Sequence, residues 1–349
     1  MRLNALLRPL GILSAAALTA CGSAPPAAPV ASPAAPPQAT PASAPQPAAI
    51  KVGIALGGGA AKGFAHIGVI KMLEANGFAP AVVAGTSAGS VVGALYASGM
   101  NAFELQEKAV ALDEAKIRDL QLASGGLILG QKLEDYVNAQ LRNQPIERLA
   151  RPFAAVATRL EDGERTVFTR GNTGQAVRAS SSIPGVFQPV AIGKVHFVDG
   201  GVVSPVPVDA ARQLGADVVV AVDISNRARG QAPAGMLGTL GQSIAIMGQK
   251  LGQAELARAD VVVRPQVLDI GAADFTQRAS AILEGEKAAL AAMPQIRERI
   301  AQLQAARAEA TRLAQQKAAE AQHQACLEQR SRLQKLAGMA GLDGSCPAP

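Results

Sequence analysis

The sequence predicts an α/β protein whose mainly parallel sheet is covered by helices. Short apolar runs of strand length alternate with segments that carry apolar residues at helical spacing, which is the order expected of strands joined by helices. Two strand-to-helix junctions are rich in glycine, which permits tight turns and close backbone approach. With 349 residues, 49% of them hydrophobic and 17% charged, the chain is long enough for one large core with appendages.

The chain begins with features of a secretory signal peptide over residues 1–20. Arg2 and Arg8 precede an apolar run, Leu10–Leu18, that is too short to span a membrane. The next residues, Leu18-Thr19-Ala20-Cys21, resemble the lipoprotein box of bacteria, which implies fatty acylation of Cys21 and a lipid anchor. An ordinary secretory signal cleaved nearby is the alternative.

Gly22 occupies the position where lipoproteins of this type carry Asp when they stay in the inner membrane. The resemblance therefore implies a cell-envelope protein anchored in the outer membrane and facing the periplasm. Residues 22–49 are rich in Ala, Pro and Ser, and such a composition predicts a disordered tether because it cannot bury a core.

The predicted regular elements begin at Lys51 and continue to the tail. Residues 100–150 contain further helical segments in which no lid is identifiable. The runs that predict strands are Lys51–Leu56, Ala81–Ala84, Phe153–Thr158, Thr166–Thr169, Val195–Val198, Val218–Asp223 and Val261–Arg264. The main segments that predict helices are Phe64–Ala75, Ser90–Ala97, Val208–Leu214, Leu237–Leu256 and Gln277–Ala292.

The glycine run at 57–63 follows the first predicted strand and opens a helix. It does not fit a Walker loop, because Lys62 precedes Gly63, and it does not fit the dinucleotide pattern of spaced glycines. A nest of backbone amides suited to an oxyanion remains, formed by Gly57, Gly58 and Gly59, with the charge of Lys62 at its rim. A purely structural turn is the alternative.

The second junction, Gly85-Thr86-Ser87-Ala88-Gly89, matches the pattern G-x-S-x-G. A nucleophilic serine must stand on a sharp strand-to-helix turn, and Gly85 and Gly89 avoid collisions with the neighbouring strand and helix. Because an apolar run precedes the turn and a helix follows it, Ser87 is a candidate nucleophile. A serine in an ordinary helix-start turn is the alternative.

A serine nucleophile needs a base, and the histidines are poor candidates. His323 lies in the charged tail, His66 favours a packed or capping role, and His196 lies in a strand where it is expected at the surface. Asp199 ends a predicted strand, and Gly200 and Gly201 after it allow close backbone approach. A partly desolvated carboxylate can accept the serine proton directly, although Asp-Gly-Gly alone also fits a turn.

Together these motifs resemble the patatin-like phospholipases, from about Lys51 to Arg264. Residues 179–187 and the strand Val218–Asp223 belong to the resemblance too. It implies a three-layer α/β/α fold, a Ser87–Asp199 dyad without a catalytic histidine, and hydrolysis of phospholipid or lysophospholipid acyl esters. The implied mechanism needs neither metal nor cofactor. Lys62 stands where Arg is usual and Ser204 where Asn is common.

The expected domain organisation is a signal peptide at 1–20, a lipidated tether at 21–49, a hydrolase domain at 50–293 and a helical tail at 294–349. The tail has a thin apolar stripe, which predicts a solvated helix packed once against the body or a helix that binds a membrane or protein partner. Cys326 and Cys346 in the tail form a disulfide or remain free thiols. The stripe residues are Ile296, Ile300, Leu303, Ala310 and Leu313.

Two other functions use the same residues: acyl transfer to an alcohol, and non-catalytic binding of a lipid or protein partner by a lipoprotein. The net charge of +6 is explained by solubility, with weak attraction to anionic lipid as the alternative. Basic residues do not cluster with aromatic ones, so nothing supports nucleic-acid binding.

Overall fold

The computed structural model describes residues 49–113, 119–123, 126–225, 235–337 and 346–347. The predicted signal peptide, the lipidation site Cys21 and nearly all of the tether lie outside these residues. None of the helices in the described part has the length and apolar character needed to cross a membrane.

A mixed sheet forms the centre of the fold and, among the described residues, comprises eight strands in the order β10-β9-β1-β2-β5-β8-β7, with β6 also paired to β5. Pairs from β10 to β5 along this order are parallel, whereas β6, β7 and β8 join antiparallel. A separate hairpin contains β3 and β4. The strands are β1 (Val52–Leu56), β2 (Val82–Thr86), β3 (Leu120–Ala123), β4 (Gly126–Ile128), β5 (Phe153–Arg159), β6 (Arg165–Phe168), β7 (Val190–Ile192), β8 (Val195–Asp199), β9 (Val218–Val222) and β10 (Val261–Val263).

Helices cover both faces of this sheet. In chain order they are α1 (Phe64–Ala75), α2 (Ala88–Ala97), α3 (Ala102–Val110), α4 (Gln131–Gln140), α5 (Thr173–Ser180), α6 (Val208–Gln213), α7 (Gly235–Leu256) and α8 (Arg278–Ala337).

The sheet separates the two largest of three apolar clusters, and the third lies around β7 and β8. Ile54 and Leu56 of β1 pack with α1, α2 and α8 on one face, whereas Ala55 packs with α6 and the end of α7 on the other. Strands covered on both faces are apolar at successive positions, and every residue of β1, β2 and β9 is buried. The predicted mainly parallel sheet and three-layer α/β/α arrangement are confirmed.

Helix α8 differs from its prediction. The helix expected at Gln277–Ala292 and the helical tail are one continuous helix that contains Pro294, and the predicted domain boundary at 293/294 falls inside it. Ile296 and Ile300 remain buried against the body, whereas Leu313 is 44% exposed. The helix therefore packs on the body first and then extends into solvent.

Cys326 of α8 is bonded to Cys346 in a disulfide. Of the two states that the sequence leaves open for these cysteines, the structure has the paired one.

Candidate active site

Ser87 stands on a strained turn between β2 and α2. Its backbone has φ 53° and ψ −124°, a conformation that non-glycine residues adopt rarely and that is typical of exposed nucleophiles. A Cβ at Gly85 would lie 2.4 Å from the Gly89 carbonyl oxygen, and one at Gly89 would lie 2.1 Å from that of Leu56. Only glycine fits at either position, so the sequence requirement has a steric cause.

Asp199 ends β8, which lies beside β5 and one strand away from β2. Its amide donates to the Ser182 carbonyl at 2.8 Å, and its carbonyl accepts from the Thr158 hydroxyl at 2.9 Å. The next residue, Gly200, is pressed so closely on β5 that a Cβ would lie 2.1 Å from the Val156 oxygen. The Asp-Gly-Gly turn is thereby fixed on the sheet edge that also carries Ser87.

Burial of the Asp199 carboxyl favours its uptake of a proton. Ser87 and Asp199 are 5% and 6% exposed and line one cavity of about 480 Å³. Burial raises the pKa of Asp199 to about 6, and the Ser87 hydroxyl and Gly201 amide hold it below the value that burial alone would give. The Gly201 amide donates to Oδ1 at 2.7 Å. Among the described residues, no donor lies in hydrogen-bonding geometry to Oδ2. Oδ2 is therefore able to accept a further hydrogen bond.

The glycine loop requires a correction to the predicted oxyanion hole. The Gly57 amide donates to the Val222 carbonyl at 3.1 Å, and the Gly58 amide donates to the Pro205 carbonyl at 3.0 Å, so both are already satisfied. Within the described part of the chain, the amides of Gly59 and Ala60 have no such partner. Gly59 and Ala60 both line the cavity with Ser87, and they are the loop amides that remain for an oxyanion.

Lys62 is not at the rim of the site, contrary to the prediction. It follows Ala60 and Ala61 in a 3₁₀ turn that leads directly into α1, and its side chain is fully buried. The cavity beside Ser87 is lined by Gly58, Gly59 and Ala60 instead. Lys62 does not line this cavity, so the structure does not place its side chain at the rim of the amide nest.

The three histidines have the roles expected of them, and none is a base for Ser87. His66 is fully buried, and its Nε2 donates to the Gly57 carbonyl at 2.8 Å, which holds the glycine loop on α1. Burial lowers the pKa of His66 to about 4, so the ring is neutral. His196 contacts Glu161 at the surface, and His323 lies on the solvated part of α8.

Two residues that position the site were not predicted from the sequence. The Ser180 hydroxyl accepts from the Ser87 amide at 2.9 Å and donates to the Val156 carbonyl at 2.6 Å, which anchors the nucleophile to β5. Ser180 belongs to the segment 179–187 noted in the sequence, so the family pattern could have identified it. Glu255, near the end of α7, carries no sequence signal of this kind.

The Glu255 carboxylate holds the loop that supports both halves of the site. It accepts from the Ser204 hydroxyl at 2.5 Å and from the Val206 amide at 2.8 Å. In the same loop, the Ser204 carbonyl accepts from the Thr86 hydroxyl at 2.8 Å, and the next carbonyl accepts from Gly58. Burial raises the pKa of Glu255 to about 7. This carboxylate therefore ties α7 to the neighbour of the nucleophile and to the glycine loop.

A second cavity, of about 510 Å³, also reaches Ser87 and lies among aromatic and aliphatic side chains. Among the described residues, no three His, Cys, Asp or Glu side chains come together as a metal site would require. The site therefore contains a serine with a strained backbone, a buried carboxyl with a raised pKa, two loop amides without a described backbone partner, and two apolar cavities.

Comparison with known proteins finds sequence similarity to patatin-like phospholipases. The family model of patatin-like phospholipases matches residues 54–212. An uncharacterized NTE family protein of Mycobacterium tuberculosis is 35% identical over 184 residues, which cover 52% of this chain and 51% of the relative. Patatin-like phospholipase domain-containing protein 6 of Homo sapiens is 31% identical over 184 residues, covering 50% of this chain and 13% of that protein.

The chain thus spans about half the length of the mycobacterial relative and a small part of the human one. Among solved structures, VipD from Legionella pneumophila is 13% identical with a TM-score of 0.49, over 70% of this chain and 67% of VipD.

Proposed function

We propose that this chain, as a member of the patatin-like phospholipase family, is a serine acyl hydrolase that cleaves acyl esters of phospholipids or lysophospholipids. The observation that carries the proposal is the presence of Ser87 and Asp199 in one apolar cavity, with a strained nucleophile backbone and a free carboxylate oxygen. A protein that only binds lipid needs neither feature.

The proposed reaction begins with attack by Ser87 Oγ on the acyl carbonyl carbon while Asp199 Oδ2 accepts the hydroxyl proton. The carbonyl oxygen becomes an oxyanion, which the amides of Gly59 and Ala60 stabilise together with the N-terminus of α2. Gly59 and Ala60 stand at the start of the 3₁₀ turn that leads into α1, and the other donors belong to α2, so the fold holds both sets in place.

The tetrahedral intermediate then expels the alcohol. The bond from the acyl carbon to the alcohol oxygen breaks, and Asp199 gives its proton to that oxygen, leaving an acyl ester on Ser87. Water attacks this ester while Asp199 again accepts a proton, the fatty acid leaves, and the proton returns to Ser87. Asp199 acts as base and acid in turn, for which a pKa of about 6 is well suited near neutral pH.

Two variants test the proposed dyad. Ser87→Ala removes the nucleophile and Asp199→Asn removes the base, so each is expected to lower the hydrolysis of a p-nitrophenyl ester by a factor on the order of 10³ or more. Circular dichroism should show both variants folded. Wild-type rates in either folded variant would exclude the dyad.

A lipid panel tests the substrate class. Purified protein without its leader is incubated with diacyl phospholipids and lysophospholipids, and mass spectrometry follows the products. Release of free fatty acid supports hydrolysis, whereas acyl groups found on an added alcohol indicate transfer. Absence of any acyl product with active enzyme would exclude this substrate class.

We also propose that Cys21 is fatty-acylated and anchors the protein in the outer membrane, facing the periplasm. The leader pattern supports this proposal, and the Cys326–Cys346 disulfide fits an oxidising compartment. Radiolabelled palmitate should enter the wild-type protein and should not enter Cys21→Ala. Equal labelling of the two proteins, or none of either, contradicts the anchor.

A further inference from the structure

Two cavities lie beside Ser87 and share part of their lining. The first, which we name the Asp199 cavity, contains Asp199 and is walled by α7 through Ile244 and Ala245. The second, named the aromatic cavity, is lined by Phe64, Tyr136, Phe187 and Phe275. Both cavities are lined by Ser87, Ala60, Ile183, Val186 and Ala272, and they differ in the rest of their lining. A substrate bonded to Ser87 therefore has two differently lined apolar spaces within reach.

An ester also has two arms, the acyl chain and the alcohol. The position of the proton donor determines which cavity each arm occupies. Asp199 must deliver its proton to the alcohol oxygen when the intermediate collapses, and it must later bind the attacking water. Asp199 lines only the first cavity. The alcohol arm must lie there, because an alcohol directed into the aromatic cavity would point away from its proton donor.

The lining of the two cavities fits this assignment. The aromatic cavity is bounded by side chains of the apolar core, among them Phe64 and Leu133, and it offers an apolar surface for a hydrocarbon chain. The wall of the Asp199 cavity includes the polar side chains of Ser225 and Gln249, which can hydrogen-bond to oxygen atoms of an alcohol moiety.

We propose that the aromatic cavity is the acyl-chain site and that the Asp199 cavity receives the leaving alcohol. Val91 of α2 and Tyr136 of α4 then help to set the preferred acyl length, and Ala245 of α7 helps to set the tolerated alcohol. This inference rests on the proposed hydrolase function and goes beyond it, since it assigns each arm of the substrate to a place.

A matched pair of variants separates the two cavities. Val91 and Ala245 are both half-buried helix residues, and each lines one cavity only. Val91→Phe and Ala245→Phe therefore each introduce an aromatic ring into one cavity and not into the other. Each variant is assayed in mixed detergent micelles with p-nitrophenyl butyrate, p-nitrophenyl palmitate and vinyl butyrate.

The acyl-length ratio is kcat/KM for the palmitate divided by kcat/KM for the butyrate, both as p-nitrophenyl esters. Val91→Phe should lower this ratio at least about 10-fold, because the long chain loses its site. Ala245→Phe should leave the ratio within about 2-fold, because both substrates share one alcohol. The alcohol ratio, p-nitrophenyl butyrate against vinyl butyrate, should fall in Ala245→Phe and not in Val91→Phe.

Tyr136→Ala provides a second readout in case Val91→Phe does not fold. It enlarges the aromatic cavity and should raise the acyl-length ratio. If Ala245 variants change acyl length and aromatic-cavity variants change only the alcohol ratio, the assignment is reversed and the inference is wrong. Unchanged ratios in active variants also contradict the inference. A wild-type protein that hydrolyses none of the three esters instead rejects the proposed function itself.

Discussion

Asp199 is the group whose ionisation controls the proposed reaction. Burial raises the pKa of its carboxyl to about 6 from the ordinary value of 3.8. The base must be deprotonated to accept the Ser87 proton, so activity should be present above this pKa and lost as the pH falls through it. The value of kcat/KM should decrease about 10-fold for each pH unit below about 6.

The measurement is kcat/KM for a soluble p-nitrophenyl ester between pH 4.5 and 8. Glu255 also has a raised pKa, about 7, so Glu255→Gln is the control, and its acid limb near pH 6 should persist. An acid limb near pH 4, or one that disappears in Glu255→Gln, contradicts the role assigned to Asp199.

We interpret Glu255 as a positioning residue, because it contacts the loop that holds the site and not the reacting groups. Glu255→Ala removes the acceptor for the Ser204 hydroxyl and the Val206 amide, and this frees the loop whose carbonyls hold Gly58 and Thr86. We expect kcat to fall roughly 10-fold with little change in KM, because small misplacement of reacting groups reduces rate more than binding.

Glu255→Gln is the matched variant, since the amide oxygen can still accept from the Val206 amide. Its kcat should stay within about 3-fold of the wild-type value. Steady-state kinetics on folded proteins decides the question. A change confined to KM, or equal losses in the Ala and Gln variants, argues against a positioning role.

The sequence predicts Ser87 and Asp199 from two short motifs and their resemblance to a family, and the structure brings the two residues to one cavity. The partners of the backbone amides were not predictable in this way. The Gly57 amide is bonded to β9 and the Gly58 amide to the loop after Asp199, both far away in the sequence. Burial of Lys62 likewise depends on the packing of a turn against elements that local pattern does not specify.

At the level of elements, the contact between α1 and α8 depends on two glycines. A Cβ at Gly68 would lie 1.9 Å from the Ile282 oxygen, and a Cβ at Gly285 would lie 2.0 Å from the Ala65 oxygen. The backbones touch, so the helices can approach only where neither has a side chain. This contact attaches the first turns of α8 to the catalytic body.

Gly285→Ala is therefore expected to destabilise the protein by about 2–3 kcal/mol, the cost of overpacking a closed contact. Gly241→Ala is the control, since a Cβ there meets nothing within 4 Å and α7 gains a better helix former. Chemical denaturation followed by circular dichroism measures both. Equal unfolding free energies for the two variants would show that the close approach does not limit stability.

The long helix α8 shows where local pattern is insufficient. Proline inside a helical segment usually ends or kinks the helix, yet α8 continues through Pro294. In the structure, Met293 and Ile296 on either side of this proline are buried against the body. Tertiary packing on both sides outweighs the loss of one backbone hydrogen bond. The sequence did not predict strands β3, β4 and β7, which are only three or four residues long.

At the scale of the whole molecule, the order of strands creates the site. Strand β5 lies between β2 and β8, so the ends of β2 and β8 approach each other across one strand. The nucleophile turn and the Asp-Gly-Gly turn are 112 residues apart in sequence, yet the sheet brings them to one cavity. The alternation of strands and helices predicts a sheet of this class, but it does not specify that order.

The solvated end of α8 carries a prediction about the environment of the whole protein. Cys326 and Cys346 are bonded in the structure, and disulfides persist in oxidising compartments. Peptide mapping of protein trapped with an alkylating agent, without reduction, should find a linked Cys326–Cys346 peptide. Recovery of both residues as alkylated thiols contradicts the pairing.

Labelling with a fluorophosphonate probe detects the nucleophile itself, since the probe reacts preferentially with an activated serine. We expect one covalent adduct, located on Ser87 by peptide mass spectrometry, that is absent in Ser87→Ala and strongly reduced in Asp199→Asn. An adduct on another residue, or labelling of Ser87 at an unchanged rate in folded Asp199→Asn, would contradict this expectation.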